Sequence, residues 1–403
     1  MRRPWLALVA SYGTVVATTS AEGVFQFLIP PYLEQSGYPV SLIGFYYALP
    51  FAVALLWRVP AGLLYRPSRV RGLVAGAGLV AAITSFFLSY ASGPLAFALV
   101  RGAYGVAAAT ITTVTLAHFM GTIAHGPGRS HAMGYYAGAL AGGFTIGNLA
   151  GGFVGQRWGY PTAFAVGAAF ELGVIVFAFG LPTVAAAPPL IRASGSLWSR
   201  WRVLTDPGLA YAALVAFLLN VLFHLPGSFF PLYAVAAGLT LAEVGVIRAA
   251  FSFANLAVRG LSGLALQHVP RRQAAMVGIA AQAVALMLVP ISYSFLPLLL
   301  IMLFVALWRA VGLVASTMVL AEDPDPRRVS RGLASGVYNA AGDLGSLGVS
   351  IGGGLLAAQV GVDALFWLLP GVVLVVYVLA ATALERVRRD ASSSSRPVAT
   401  GRG

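Results

Sequence analysis

Residues 142–152, GGFTIGNLAGG, contain glycines at every fourth position (Gly143, Gly147 and Gly151) in an apolar segment without charges. Because glycine costs roughly 1 kcal/mol against alanine in a helix in water, this ladder indicates either a flexible loop or a helix that another backbone approaches closely. Composition separates the two interpretations. The 403 residues are 59% hydrophobic and 9% charged, whereas soluble globular chains carry about 25% charged residues. We therefore predict a membrane protein in which the ladder is a helix-packing surface.

Apolar runs of about 20 residues, long enough to cross a ~30 Å hydrocarbon core as a helix, recur along the whole chain. They predict an all-α membrane protein with twelve transmembrane helices, at about 5–30, 40–65, 70–90, 94–119, 132–156, 161–182, 208–234, 241–266, 272–294, 296–320, 331–357 and 363–384.

The distribution of arginine predicts the orientation. All 25 basic residues are arginine, and they cluster at the two ends and on alternate loops, whereas the opposite loops hold only Arg157. By the positive-inside rule both termini lie in the cytoplasm, and we expect a multi-pass protein of the bacterial inner membrane. A net charge of +13 would suggest nucleic acid as the partner of a soluble protein. The position of the arginines on alternate loops argues instead that the lipid bilayer is the partner, and it argues against nucleic acid.

Missing residue types and motifs exclude several activities. Without lysine the chain has no Walker A motif, and without cysteine it has neither disulfides nor thiolate metal sites. The sequence also lacks the H-E-x-x-H and G-x-S-x-G patterns. We therefore expect no enzyme, no metal and no cofactor.

An internal repeat divides the chain into two parts. A shift of 202 residues superimposes Arg129 on Arg331 and Gly143 on Gly345, and a shift of 201 places residues 58–64 over 259–265. Parallel repeats of this kind, with a site between them at mid-membrane, are a transporter arrangement. The sequence thus predicts two pseudo-symmetric six-helix halves, residues 1–182 and 208–385, joined by a cytoplasmic linker at 183–207 and followed by a disordered tail at 386–403.

Several motifs resemble those of the major facilitator superfamily. The loop after span two resembles G-x-L-A-D-R-x-G-R-K through Gly62 and Arg71, with Arg66 at the acidic position. Its second-half copy keeps Gly263, Arg271 and Arg272, and span four matches R-x-x-Q-G at Arg101 and Gly105, with Tyr104 in place of glutamine. The opening stretch is similar to the exporter motif G-x-x-x-G-P-x-x-G-G, with matches at Gly143, Gly147, Gly151 and Gly152 and with Asn148 in place of proline.

The resemblance implies roles for these residues. The span-five glycines would pack against span eight, across the two halves, where the interface opens and closes. A static packing contact is the alternative. Gly62, Gly263, Arg271 and Arg272 would belong to the loop gates. The resemblance is to the branch of twelve-helix drug and metabolite exporters, which are proton antiporters. We expect the protein to be a monomer.

Charged residues inside the membrane are costly, so they mark cavities, ion pairs or functional sites. Glu22 and Arg101 lie at matching depth in spans one and four, which the resemblance places around the central cavity. Asp343 and Arg309 both lie near the midplane. We expect Glu22 to be the principal proton-coupling residue, with Arg101 as its fixed partner. Asp343 with Arg309 is the alternative carrier, and a structural ion pair is the other interpretation of each pair.

The remaining intramembrane polar residues are less informative. Arg58 and Arg259 are expected to snorkel towards the cytoplasm and to belong to the loop gates. Glu171 and Arg248 have no predicted role. The candidate cavity wall is mostly aromatic, and its predicted residues are Phe25, Tyr104, Phe217, Asn220, His224 and Trp308.

Such a wall suits a small amphipathic solute. We therefore predict a secondary active transporter, with proton-coupled export as the first interpretation. Uptake of a metabolite by proton symport is the alternative, and a non-transporting scaffold or sensor is a third class.

Overall fold

The computed structural model describes residues 4–91, 93–122, 129–183, 206–266, 269–322 and 331–394. Within these residues the chain is helical apart from short connections. The helices are α1 (Pro4–Gln35), α2 (Val40–Leu64), α3 (Val70–Phe87), α4 (Pro94–Thr122), α5 (Arg129–Gly180), α6 (Pro207–Ser228), α7 (Phe230–Ala236), α8 (Leu241–Ala265), α9 (Arg271–Met287), α10 (Phe295–Glu322), α11 (Arg331–Val360) and α12 (Val362–Ser394).

These helices confirm the twelve predicted spans. Ten stretches of described helix are long and apolar enough to cross a membrane, and one of them, His131–Gly180, contains two spans. α5 bends sharply between those two spans at Gly159, whose φ of 82° lies in the left-handed region that glycine adopts readily. The seventh span is divided between α6 and α7. α1 is not among the ten stretches, and it is the most polar span.

Hydroxyl side chains make α1 polar, and several of them hydrogen-bond to carbonyl groups of the same helix. The buried hydroxyl of Ser11 is an exception, since it has no hydrogen-bond partner among the described residues. Thr14 donates a hydrogen bond to the carbonyl of Ala10, and Ser20 donates one to the carbonyl of Val16, both at 2.7 Å. A hydroxyl that bonds to the carbonyl of the preceding turn needs no partner on another helix. α1 can therefore present small residues to its neighbours while it spans the membrane.

The two halves repeat one packing scheme. In the first half α1 packs on α5, α2 on α4, and α3 on α4 and α5. In the second half α6 packs on α11, α8 on α10, and α9 on α10 and α12. Left-handed glycines occur at equivalent places, Gly37 with Gly238 and Gly159 with Gly361. The predicted pseudo-symmetry is therefore present in the backbone as well as in the sequence.

Two glycine contacts join the halves, one between α5 and α8 and one between α2 and α11. A Cβ built on Gly152 would lie 3.0 Å from the Cα of Gly245, and one on Gly354 would lie 3.2 Å from the Cα of Gly44. The repeat relates the two pairs. Both lie near the membrane face opposite to the start of α1, and we call them the closing contacts.

The glycine ladder meets a different helix from the one that was expected. A Cβ on Gly143 would contact Thr19, and one on Gly147 would contact the carbonyl oxygen of Ser20, so both glycines pack on α1 within the first half. Gly151 likewise faces α1. Gly152 alone of the four faces α8. Consecutive helical residues point about 100° apart, which separates Gly152 from the ladder.

The described helices also revise one predicted boundary. α12 continues to Ser394, so the first part of the predicted disordered tail is helical. Residues 381–391 are rich in alanine, leucine, glutamate and arginine, which are good helix formers. Residues 395–403 and most of the predicted linker, 184–205, lie outside the described residues.

Candidate functional site

A central cavity of about 350 Å³ lies between the two halves. α1, α2 and α5 contribute one side of its wall, and α6, α8 and α11 contribute the other. It extends from Glu22, in the middle of α1, towards the face where α1 begins, because Arg58, Ala137 and Arg259 also line it. The closing contacts lie at the opposite face. Among the described residues, the cavity therefore lies on the side of the membrane where α1 begins, and the closing contacts separate it from the opposite face.

A hydrogen-bonded chain crosses the cavity from one half to the other. The side-chain amide of Gln26 donates to Oε1 of Glu22 at 2.9 Å. Arg248 of α8 donates to the amide oxygen of Gln26 at 3.5 Å. Gln26 thereby connects a carboxyl group of the first half with a guanidinium group of the second.

Glu22 and Arg101 share a smaller pocket of about 90 Å³ that adjoins the cavity. Arg101 is 5% exposed, and its Nε donates to the carbonyl of Tyr46 at 3.4 Å. Among the described residues no carboxylate lies within 4.0 Å of Arg101. The two predicted partners thus face the same space without forming an ion pair.

The predicted pairing of Asp343 with Arg309 is wrong. Asp343 lies 3.4 Å from Nη1 of Arg58, which makes an ion pair between α11 and α2 across the two halves. Arg309 instead donates to the carbonyl of Leu219 at 3.1 Å, and its guanidinium lies 4.6 Å from the ring centre of Phe223. α11 packs along α2, which brings Arg58 to Asp343.

The structure distributes the predicted wall residues unevenly. Asn220 and His224 line the central cavity, and Phe25 and Tyr104 line the smaller pocket. Phe217 and Trp308 are not among the lining residues of either one. The carbonyl of Phe217 packs against Gly345. The ring of Trp308 packs against that of Phe304, with the ring centres 6.0 Å apart.

Three of the predicted loop-gate residues, Gly62, Arg271 and Arg272, are not among the residues that line the cavity. A Cβ on Gly62 would meet nothing within 4 Å, and Arg272 packs its guanidinium 4.4 Å from the ring centre of Tyr211, within the second half. Arg271 begins α9. Gly263 lies in α8, but its surroundings fall outside the described residues.

One face of α8 was missed as part of the site. Arg248, Ser252, Asn255 and Arg259 all line the cavity, at spacings of four, three and four residues that place them on one helical face. We call these four residues the α8 polar face. Arg58 and Arg259 were expected to snorkel to the membrane surface, but both contribute to the cavity wall. The i, i+4, i+7, i+11 spacing of these polar residues was the signal in the sequence that could have indicated a polar face on α8.

Glu171, which had no predicted role, is fully buried beside the smaller pocket. The hydroxyl of Tyr104 donates to its Oε1 at 3.4 Å. Tyr104 also lies edge-on to Phe25, with the ring centres 5.4 Å apart. The carboxyl group of Glu171 is therefore hydrogen-bonded to a residue that lines the smaller pocket.

Two six-helix halves around a central cavity at mid-membrane are the architecture of a membrane transporter. The chain belongs to the Major Facilitator Superfamily, whose sequence model matches residues 11–346 and 225–401. Comparison with curated protein sequences gives no significant match.

The fold is similar to solved transporter structures at low sequence identity. A bacterial homologue of the human lysosomal transporter Spinster, in an inward-facing and unoccupied conformation, superimposes with a TM-score of 0.76 at 16% identity. The match covers 96% of this chain and 98% of that one. The D323A variant of the nucleoside transporter NupG gives a TM-score of 0.78 at 14% identity, covering 94% of this chain and 99% of that one. The matches establish the fold.

Proposed function

We propose that this chain is a secondary active transporter that moves a small amphipathic solute across a membrane by alternating access, driven by proton movement. The observation that carries the proposal is the cavity between the halves, which is lined by Glu22 and separated from one membrane face by the closing contacts. The two halves, 1–182 and 208–385, are the units that rock against each other, and a monomer is sufficient. The arginine distribution supports a bacterial inner membrane with both termini in the cytoplasm.

Glu22 is the proposed proton carrier. Its carboxyl group lines the cavity, accepts a hydrogen bond from Gln26 and faces the same pocket as Arg101. Burial disfavours an ionised carboxyl group and a nearby guanidinium favours it, so small movements of the halves shift the balance. Asp343 is the alternative carrier, but its ion pair with Arg58 gives it a structural role at the contact of α2 with α11.

Export by proton antiport is supported by the resemblance of the span-five glycines to the exporter motif. Uptake by proton symport is the second candidate, and the Glu22–Gln26–Arg248 chain favours it. In that chain the carboxyl group and the guanidinium are separate groups joined by Gln26. A proton and a solute can then occupy the site together, as symport requires.

Transport in proteoliposomes tests the proposal. Radiolabelled 2-naphthoate, 2-naphthamide and 2-naphthylmethylammonium serve as probes, first in counterflow and then under an imposed pH gradient. We expect counterflow of at least one probe with the wild type and with Glu22→Gln, and gradient-driven accumulation with the wild type only. An acidic lumen drives accumulation by an antiporter, whereas an acidic exterior drives it by a symporter. If no probe undergoes counterflow above protein-free liposomes, the transport proposal fails.

A further inference from the structure

The repeat makes α8 the equivalent of α2, yet the two helices present different chemistry to the cavity. A shift of 201 residues pairs the α8 polar face with the following α2 residues: Tyr47, Phe51, Ala54 and Arg58. All four of these line the smaller pocket. One wall is therefore largely aromatic and apolar, whereas the equivalent wall carries two guanidinium groups, a hydroxyl and an amide.

Within the described residues, the two arginines of the α8 polar face form no ion pair. Arg248 is 5% exposed, and its described hydrogen bond is the one to Gln26 at 3.5 Å. The Nε atoms of Arg248 and Arg259 are buried and make no hydrogen bond within the described part of the chain. In that part, neither guanidinium has a carboxylate within 4.0 Å. Two positive charges therefore line the cavity without a carboxylate in direct contact, and Arg248 reaches Glu22 only through the amide of Gln26.

The first half differs, because its equivalent arginine, Arg58, is neutralised by a carboxylate. Arg58 pairs with Asp343 at 3.4 Å. Arg259 is the equivalent of Arg58, but the residue equivalent to Asp343 is Ala141, which cannot carry a charge. Both Arg259 and Ala141 line the cavity. The space that a carboxylate occupies on one side is open to a ligand on the other.

We propose that the α8 polar face binds the anionic group of an amphipathic organic anion, such as a carboxylate, sulfonate or phosphate. The guanidinium groups of Arg248 and Arg259 supply the paired donors that planar or tetrahedral oxyanions accept. The apolar part of the anion lies against Phe51 and Phe144 on the other wall. The proposal rests on the transport function proposed above, because it names the solute class of that same cavity.

Binding to the purified full-length protein tests the class of ligand. The probes are 2-naphthoate, its neutral amide 2-naphthamide and the cation 2-naphthylmethylammonium, which share one ring system. Decanoate is added to distinguish a lipid-like anion from an aromatic one. We expect at least one of the two carboxylates to bind at least tenfold more tightly than 2-naphthamide, and the cation to bind more weakly than the amide. Isothermal titration calorimetry measures each affinity.

Substitutions then locate the site. Arg248→Gln and Arg259→Gln should each weaken carboxylate binding at least tenfold without changing the affinity for 2-naphthamide. Arg157→Gln is the matched control, because Arg157 is exposed and does not line the cavity. Arg248→Lys retains the charge without the forked donor and should lose less affinity than Arg248→Gln. Each variant is first checked for a single elution peak and for the thermal unfolding midpoint without probe.

The outcomes separate this proposal from the transport function. Equal affinity for amide and carboxylate, tightest binding of the cation, no binding of either carboxylate, or wild-type affinity in both glutamine variants would overturn the anion site. Counterflow of the amide or the cation alone would leave transport in place and remove the anion class. Carboxylate binding without counterflow of any probe would keep the anion site and remove the transport function.

Discussion

Gly245→Ala should shift the equilibrium between the two access states of the protein while leaving both halves folded. A Cβ at this position would lie 2.6 Å from the carbonyl oxygen of Asn148 and 2.9 Å from the Cα of Gly152. Non-bonded heavy atoms prefer about 3.5–4.0 Å, so α5 and α8 must separate by about an ångström. Overpacking of this kind typically costs about 1–3 kcal/mol.

The cost applies to one state only. The closing contacts form when the face opposite to the start of α1 is sealed, and they part when that face opens. A penalty of about 1–3 kcal/mol on the sealed state changes the ratio of the two states by roughly 5- to 150-fold. We therefore expect the variant to open the opposite face far more often than the wild type does.

The absence of cysteine from the chain makes the measurement direct. Ser346 lines the cavity near the middle of α11, and Ser346→Cys introduces the chain's single thiol there. A membrane-impermeant maleimide should label this thiol from the face where α1 begins in both proteins. Labelling from the opposite face should rise in Gly245→Ala by a factor in the range given above.

Gly142→Ala is the matched control, since a Cβ at Gly142 would meet nothing within 4 Å. It should label like the wild type. If Gly245→Ala labels and transports as Gly142→Ala does, then the contact between α5 and α8 does not close the cavity and the reasoning is refuted.

Three other changes test the geometry elsewhere in the molecule. Gly147→Ala places a methyl group against the Ser20 carbonyl within one half, so it should lower the thermal unfolding midpoint. Maleimide labelling in the Ser346→Cys background should not change. An unchanged unfolding midpoint would contradict the packing of Gly147 on α1. Glu22→Gln should abolish pH-gradient-driven accumulation in proteoliposomes. Asp343→Asn removes a partly exposed ion pair, so it should lower the free energy of unfolding by less than about 1 kcal/mol and should keep some accumulation. Reporter fusions after residue 68 should report the cytoplasm and those after residue 238 the outside, and the same side for both would break the twelve-span topology.

The fold was predictable because lipid imposes a simple rule on sequence. Each span must supply an apolar run long enough to cross the bilayer, and the starts of these runs agree with the starts of the helices to within a few residues. The last helix is the exception at its end, because α12 continues to Ser394 beyond the apolar run. The internal repeat added the two halves, and the structure shows left-handed backbone at two glycines that the repeat makes equivalent, Gly159 and Gly361. Neither inference needed a side-chain contact.

The pairing of charges was not predictable in the same way. Counting residues from helix ends gives the depth of a side chain, but it does not give its direction around the helix. Asp343 and Arg309 share a depth, yet Asp343 faces α2, where Arg58 lies. The same limitation affected the glycines, since Gly151 and Gly152 are neighbours in sequence and face different helices. Direction depends on which helices pack together, and that is a property of the whole bundle.

The placement of Gly245 and Arg248 on one helix has a mechanical consequence. These residues are three positions apart, which is about 4.5 Å along the axis of α8, and a continuous helix transmits displacement over that length as a stiff rod. A ligand that pulls on Arg248 therefore exerts its force within one turn of the point where α8 bears on α5. In the proposed transport cycle, movement of the α8 polar face and separation of α8 from α5 would therefore be a single motion of α8.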